Sequence, residues 1–248
     1  MLERLFISPD ERRLRAGWRI AGQFLLLVFF VTVFGISLGW LVGLMRTPST
    51  GMLVEQTIVV LAITASVFIA RRWLDRRSIT SLGLQTDKYT LLDLIVGIAI
   101  SGLMMAGIYL FESAVGWVEF EAFSWEQHPV STVIIEVLLA LLFFILVGWG
   151  EELLSRGYWL VNFTDGLNLF WGVLISSAIF GLAHMANPNF SWVAIIGLTA
   201  AGIFMAYACL RTRQLWLPVG LHIGWNFFQG TVFGFQVSGT GGYNLISH

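Results

Sequence analysis

The chain has 248 residues, 57% of them hydrophobic and only 12% charged, with a mean hydropathy of +0.79. Soluble domains carry roughly 25% charged residues, so lipid rather than water is the solvent in which this sequence must be understood. A formal net charge of −1 and a pI near 6.4 leave no basic surplus to hold nucleic acid. The single cysteine, Cys209, excludes an intrachain disulfide and is read as a small buried hydrophobe.

Crossing about 30 Å of hydrocarbon takes about 20 apolar residues in a helix. In chain order, the first apolar run, 20–44, follows Arg4, Arg12, Arg13, Arg15 and Arg19. It is longer than a signal-peptide core and lacks a small-residue cleavage site, so it is expected to stay as a span. Runs 52–70 and 91–115 come next, separated by Arg71, Arg72, Asp75, Arg76, Arg77, Asp87 and Lys88. The connector 116–130 holds Glu119, Glu121, Glu126 and His128 but no Lys or Arg. Runs 132–149, 169–185, 193–210 and 217–235 complete the set, with Arg211 and Arg213 between the last two.

Thirteen of the 14 Lys and Arg residues then fall on one side and Arg46 alone on the other, which predicts an N-in, C-out orientation. Trp18, Trp73, Trp159 and Trp216 sit near the inner boundaries of these runs, and Trp40, Trp117, Trp125 and Trp192 near the outer ones. Period-2 alternation is lacking and unpaired backbone groups cannot persist in lipid, so the spans must be helices. The expected fold class is all-α: a polytopic membrane helix bundle of about seven transmembrane helices. Residues 1–130 are expected to form an N-terminal membrane region of about three spans with a basic connector, and residues 131–239 a core of about four spans.

Ionisable groups within spans cost about 2.5–3.5 kcal/mol each on insertion scales, and so mark interiors and functional sites. Three clusters stand out, all in the second half. In GWGEELLSRG, Glu152 and Arg156 are related by i,i+4 on one helical face, while Glu151 is turned about 100° away. In FGLAH, Phe180 and His184 share a face late in the fifth run, and in HIGWN His222 and Asn226 do so in the last. Taken singly, each is as readily a charged helix end, a core histidine or helix-packing glue.

Their joint placement says more. Runs four and five form a hairpin turning near Asp165 and Gly166, and Glu152 and His184 lie about 20–27 Å from that turn at 1.5 Å per residue. They meet at one depth if the fourth helix continues inward past Trp149. His222 and Asn226 lie a few turns from the inner end at Arg213, which places them in the cytoplasmic half of the bilayer.

A buried carboxylate, Glu151 or Glu152, is a general base able to activate a water. Two imidazoles and an amide supply a proton shuttle and oxyanion donors, as amide hydrolysis requires. Glu151, His184 and His222 are equally candidate ligands for a divalent metal such as zinc, though no H-E-x-x-H motif supports one. There is no G-x-S-x-G, and no two aspartates lie within spans. The competing classes are a proton-coupled membrane transporter and a non-catalytic membrane scaffold or immunity protein. Against transport, the polar groups are confined to one half of the chain and no inverted repeat is visible.

EELLSR fits EExxxR, FGLAH fits FxxxH and HIGWN fits HxxxN. In this order and spacing the sequence resembles the CPBP family of intramembrane proteases, which includes CAAX prenyl proteases, bacteriocin-processing enzymes, lysostaphin-resistance-like proteins and Abi-domain proteins. The resemblance covers roughly residues 131–239. It implies that Glu151 is the water-activating base, that His184 assists proton transfer, and that His222 and Asn226 stabilise the oxyanion. Glu152 and Arg156 are then supporting groups, with Phe180 completing its motif. The implied substrate is a peptide or protein at the bilayer, such as a prenylated tail or a bacteriocin or pheromone precursor, in a site opening inward. A bacterial plasma membrane is the expected location, and a glutamate mechanism without metal is preferred.

Overall fold

The computed structural model of the chain describes residues 3–8, 11–189, 191–239 and 241–248; the side chain of Arg4 lies outside the described residues. Among the described residues six helices are long and apolar enough to cross a membrane: α1 Ala16–Leu44, α2 Pro48–Leu74, α3 Thr90–Ala114, α4 Val130–Gly166, α5 Leu169–Ala186 and α6 Trp192–Thr212. The seventh apolar run forms a shorter helix, α7 (Trp216–Asn226), prolonged by a π-helical segment, Phe227–Val232. Its residues Pro218–Gly224 are buried, so the run is apolar because protein, rather than lipid alone, surrounds it. The chain is an all-α, multi-pass integral membrane protein, with Leu25, Phe29, Ile36, Leu103 and Val193 among its exposed apolar residues.

Local signals start the helices where the sequence provides caps. Thr47 and Thr50 form a reciprocal capping box with Pro48 in the first turn of α2. Asn168 accepts from the Trp171 N–H at the start of α5, and Ser191 from the Ala194 N–H at the start of α6. The fourth helix does run past Trp149, to Gly166, and the hairpin to α5 turns there.

Helix α4 is central. Gly148 lies against Ile223 of α7 and Gly150 against Val60 and Ile63 of α2, and the buried core of Ile63, Val67, Leu153, Tyr158, Leu215 and Val219 fills the space between them. The closest crossing joins α3 to α7. A Cβ on Gly97 would stand 2.6 Å from both the Leu217 carbonyl oxygen and the Leu221 nitrogen, and Ser101 Oγ donates to the Leu221 carbonyl at 2.7 Å. Small residues replace hydrophobic force as the means of holding helices together in lipid. Gly97→Val is therefore expected to destabilise by about 1–3 kcal/mol, read as a lower thermal midpoint in detergent; an unchanged midpoint would refute the crossing.

The connectors sort to two ends. At one end Asp75, fully buried, accepts from Arg71 (2.6 Å), Tyr158 Oη (3.2 Å), Arg19 (3.4 Å) and Asn162 (3.3 Å). Arg13 and Arg19 pair with Asp165 from the same side. Also here, the Tyr89 backbone N–H and the Gln214 side chain hold the Asp87 carboxyl below its usual range. At the opposite end, strand β1 (Ala122–Phe123) pairs antiparallel with β2 (Ile246–Ser247), and Asn189 donates to Gln236.

Candidate active site

Glu151 and Glu152 end the regular part of α4, and the next seven residues, Leu153–Trp159, wind as a π-helix. Another π segment begins directly after Asn226, and a further one, Ala70–Leu74, lies at the arginine end. Such segments are rare and frequent at functional sites, and none is evident in the sequence pattern. Two of them start immediately after the Glu151–Glu152 pair and after Asn226.

The two glutamates have different surroundings. Glu152 is fully buried; its Oε1 accepts from Arg156 at 2.9 Å and from His222 Nδ1 at 2.8 Å. Arg156, itself buried, also donates to the Gly202 carbonyl at 3.1 Å and lies 4.3 Å from the centre of the Phe180 ring. The charge of Glu152 is thereby committed within the bundle. Glu151 is partly open, its side chain 31% exposed, and its Oε2 has no hydrogen-bond partner among the described residues.

Both imidazoles turn to that oxygen. His184 Nε2 and His222 Nε2 each lie 3.8 Å from Glu151 Oε2. His184 stands where α5 passes into its last 3₁₀ turn, and its Nδ1 meets the Phe180 carbonyl at 2.8 Å. A carbonyl and the Arg156-paired carboxylate can only accept, so each ring donates through Nδ1 and directs Nε2 at Glu151. At 3.8 Å the contacts are too long for direct hydrogen bonds and suit one bridging water. Phe180 packs between the two rings, with centroids 5.0 Å from His184 and 6.1 Å from His222.

The same three atoms are the candidate metal donors. Ligands on a tetrahedral zinc with bonds near 2.0 Å stand roughly 3.3 Å apart, less than these separations, and no group of three or more His, Cys, Asp or Glu among the described residues is gathered to hold an ion. In this geometry the set does not fit a metal.

Glu151 and Asn226 together line two adjoining cavities. One, of about 640 Å³, also has Phe180, His184, His222 and Trp225 in its wall, and the other, of about 220 Å³, has Glu136 and Phe144. The smaller holds a carboxylate absent from the expectations: Glu136, which accepts from Ser49 Oγ at 2.6 Å. Gly150 packs on Val60, about 18 Å from Pro48 and about 21 Å from Leu74 along α2, so the acidic pair lies level with the middle of that helix. Both cavities reach the segment 237–238, at the end opposite the arginines, rather than the arginine end expected of an inward-opening site.

The family comparison falls on the same half of the chain. The model of the family described as type II CAAX prenyl endopeptidase Rce1-like matches residues 132–228, a stretch containing all seven motif residues. The provisionally named membrane peptidase YdiL of Bacillus subtilis (strain 168) is 28% identical over 137 residues, covering 52% of this chain and 53% of that protein. The chain thus spans about half the length of the curated relative it matches. No solved structure gives a significant match.

Proposed function

We propose that this chain, whose second half carries a domain of the CPBP/CAAX protease family, is an intramembrane endopeptidase that cleaves a membrane-associated or lipidated peptide by glutamate-activated attack of water. The observation that carries the reading is the convergence of two imidazole Nε2 atoms on Glu151 Oε2, at 3.8 Å each, at the meeting point of two cavities. A bacterial plasma membrane is the location proposed with it.

In this mechanism Glu151 removes a proton from a water held against His184, and the oxygen attacks the scissile carbonyl carbon. The carbonyl π electrons move to its oxygen. The resulting oxyanion is met by the Asn226 amide, which shares the cavity wall with Glu151, and by His222 in its doubly protonated form, in which Nδ1–H is held by Glu152 and Nε2–H donates to the oxyanion. When the C–N bond breaks, the proton returns from Glu151, by way of His184, to the leaving nitrogen. Glu152 takes no proton; it fixes the ring plane of His222 through the 2.8 Å bond to Nδ1.

The deciding experiment is reconstitution of the purified chain in liposomes with quenched fluorescent acylated peptides. Cleavage by the wild type and none by Glu151→Gln is the expected result; equal activity of the two would overturn the assignment. In the same assay 1,10-phenanthroline is expected to leave the rate unchanged. A loss restored by added zinc would replace the metal-free mechanism.

A further inference from the structure

We propose that the catalytic cavity is entered from the face of the membrane opposite the arginine-rich end, and that it receives a largely apolar peptide segment without acidic residues presented at that outer face. The occupant rests on the protease reading above; the direction of entry rests on independent observations.

The first is charge. Arg13, Arg19, Arg71, Arg77 and Arg213 surround a single cavity at one end of the bundle, beside Asp165, and the ion pairs Arg77–Glu11 and Arg13–Asp165 fasten the N-terminal segment there. The other end carries Glu119, Glu121 and Glu126 around β1, with Arg46 the basic residue of its connectors. Basic connectors are retained in the cytoplasm, so the arginine end faces in and the β1–β2 end faces out.

The second is closure on the inner side. Directly beneath the glutamates lie Leu153, Tyr158 and Leu215, each 0% exposed, with Leu82 at 2%. Gly157 packs against Leu215 in the same layer. The arginine cavity reaches Leu82 and Arg156 and ends there, since Arg156 is buried against the fully buried Glu152, so the packed layer leaves no inward path for a peptide.

The third is opening on the outer side. The larger cavity continues from Glu151 and His184 to Pro188, Asn189, Gln236 and Ser238, all exposed, and the smaller one to exposed Gly241 and Gly242. The two adjoin along Val147, Glu151, Asn226, Val237 and Ser238, so a chain laid across Glu151 has a lobe for each flank. Among the described residues neither lobe is lined by Lys or Arg. The rim offers carboxamides, Asn189, Gln229 and Gln236, which pair with a peptide backbone, and the walls offer Phe144, Phe180, Phe204 and Trp225. A carboxylate on the substrate would be left without a cationic partner other than the imidazoles and would face Glu136 and Glu151, which is why a segment free of acidic residues fits.

Two measurements test the direction. In intact cells a membrane-impermeant maleimide is expected to label Ser238→Cys and Trp117→Cys, and to label Lys88→Cys only after permeabilisation, with the unsubstituted chain giving the background of the half-buried Cys209. In oriented membrane vesicles, an uncharged quenched peptide with one palmitoyl chain, added from outside, is expected to be cleaved at least tenfold faster by right-side-out than by inside-out vesicles. Labelling of Lys88→Cys alone in intact cells, or faster cleavage by inside-out vesicles, would overturn the proposal. Absence of cleavage in both vesicle types and in detergent would count against the protease reading, and the labelling pattern would then decide the direction of entry by itself.

Discussion

Glu151→Gln is expected to lower kcat by about 10²–10⁴-fold, the range supplied by a positioned general base, while leaving both KM and the thermal midpoint close to those of the wild type. The split follows from its contacts. Glutamine keeps the shape of the side chain and its place in the cavity wall, so the peptide still docks. No direct hydrogen bond is lost, because the nearest basic nitrogens stand 3.8 Å away and Oε2 has no protein partner. What is lost is the ability to accept a proton. Steady-state kinetics together with a thermal melt on one preparation check this; a variant with wild-type kcat, or one that loses activity only because it unfolds, would remove Glu151 from the role of base. His184→Ala is expected to lie between, since Glu151 can still activate water but without the second imidazole to carry its proton.

Much of this arrangement was legible because periodicity and charge act on short stretches of chain. The i,i+4 spacing of Glu152 and Arg156 puts both on one face, and the structure closes that pair at 2.9 Å. The helix hairpin at Gly166 was legible from two apolar runs, 132–149 and 169–185, with Asp165 and Gly166 in the stretch between them. The arginines were legible only in part. Counted as topogenic charges, Arg19 and Arg71 are 3% and 5% exposed and hold Asp75 within the bundle; the i,i+4 relation of Arg71 to Asp75 was the available signal. Arg19 gives no such signal, since it meets Asp75 across 56 positions.

Other features depend on packing between distant segments. The π segments after Glu152 and Asn226 leave no mark on the apolar pattern, because every side chain around them is buried or half-buried whichever register the helix adopts. The seventh run was apolar enough to count as a span, yet its helix is short and enclosed by α3, α4 and α6. Hydropathy measures dislike of water and does not distinguish lipid from a protein interior. The direction in which the cavities open depends on where the C-terminal segment folds back, fixed by the pairing of Phe123 with Ile246, a contact between residues with no shared local pattern.

Breaking the Glu152–Arg156 pair is expected to have the largest effect on stability. Arg156→Met leaves a fully buried carboxylate with His222 as its one remaining partner and removes the side-chain donor that the Gly202 carbonyl has in addition to its helical bond. Removal of one member of a buried ion pair costs about 3–5 kcal/mol, so the variant is expected to melt far below the wild type. Glu152→Leu reverses the problem by stranding the guanidinium, with a similar loss. The double variant Glu152→Leu/Arg156→Met removes both charges at once, and its midpoint is expected to lie above that of either single variant, because a neutral, space-filling interior needs no compensation. Recovery stays incomplete, since the buried His222 Nδ1–H loses its Glu152 acceptor, and an unpaired buried donor costs about 1–3 kcal/mol. Activity is not expected to follow stability. Without the Oε1 acceptor, His222 is no longer held with Nε2 toward Glu151, and kcat should stay about 10²-fold down or more while KM changes little. A double variant that regains both its midpoint and its turnover would show that Glu152 serves only as the counter-ion of Arg156 and does not position the histidine.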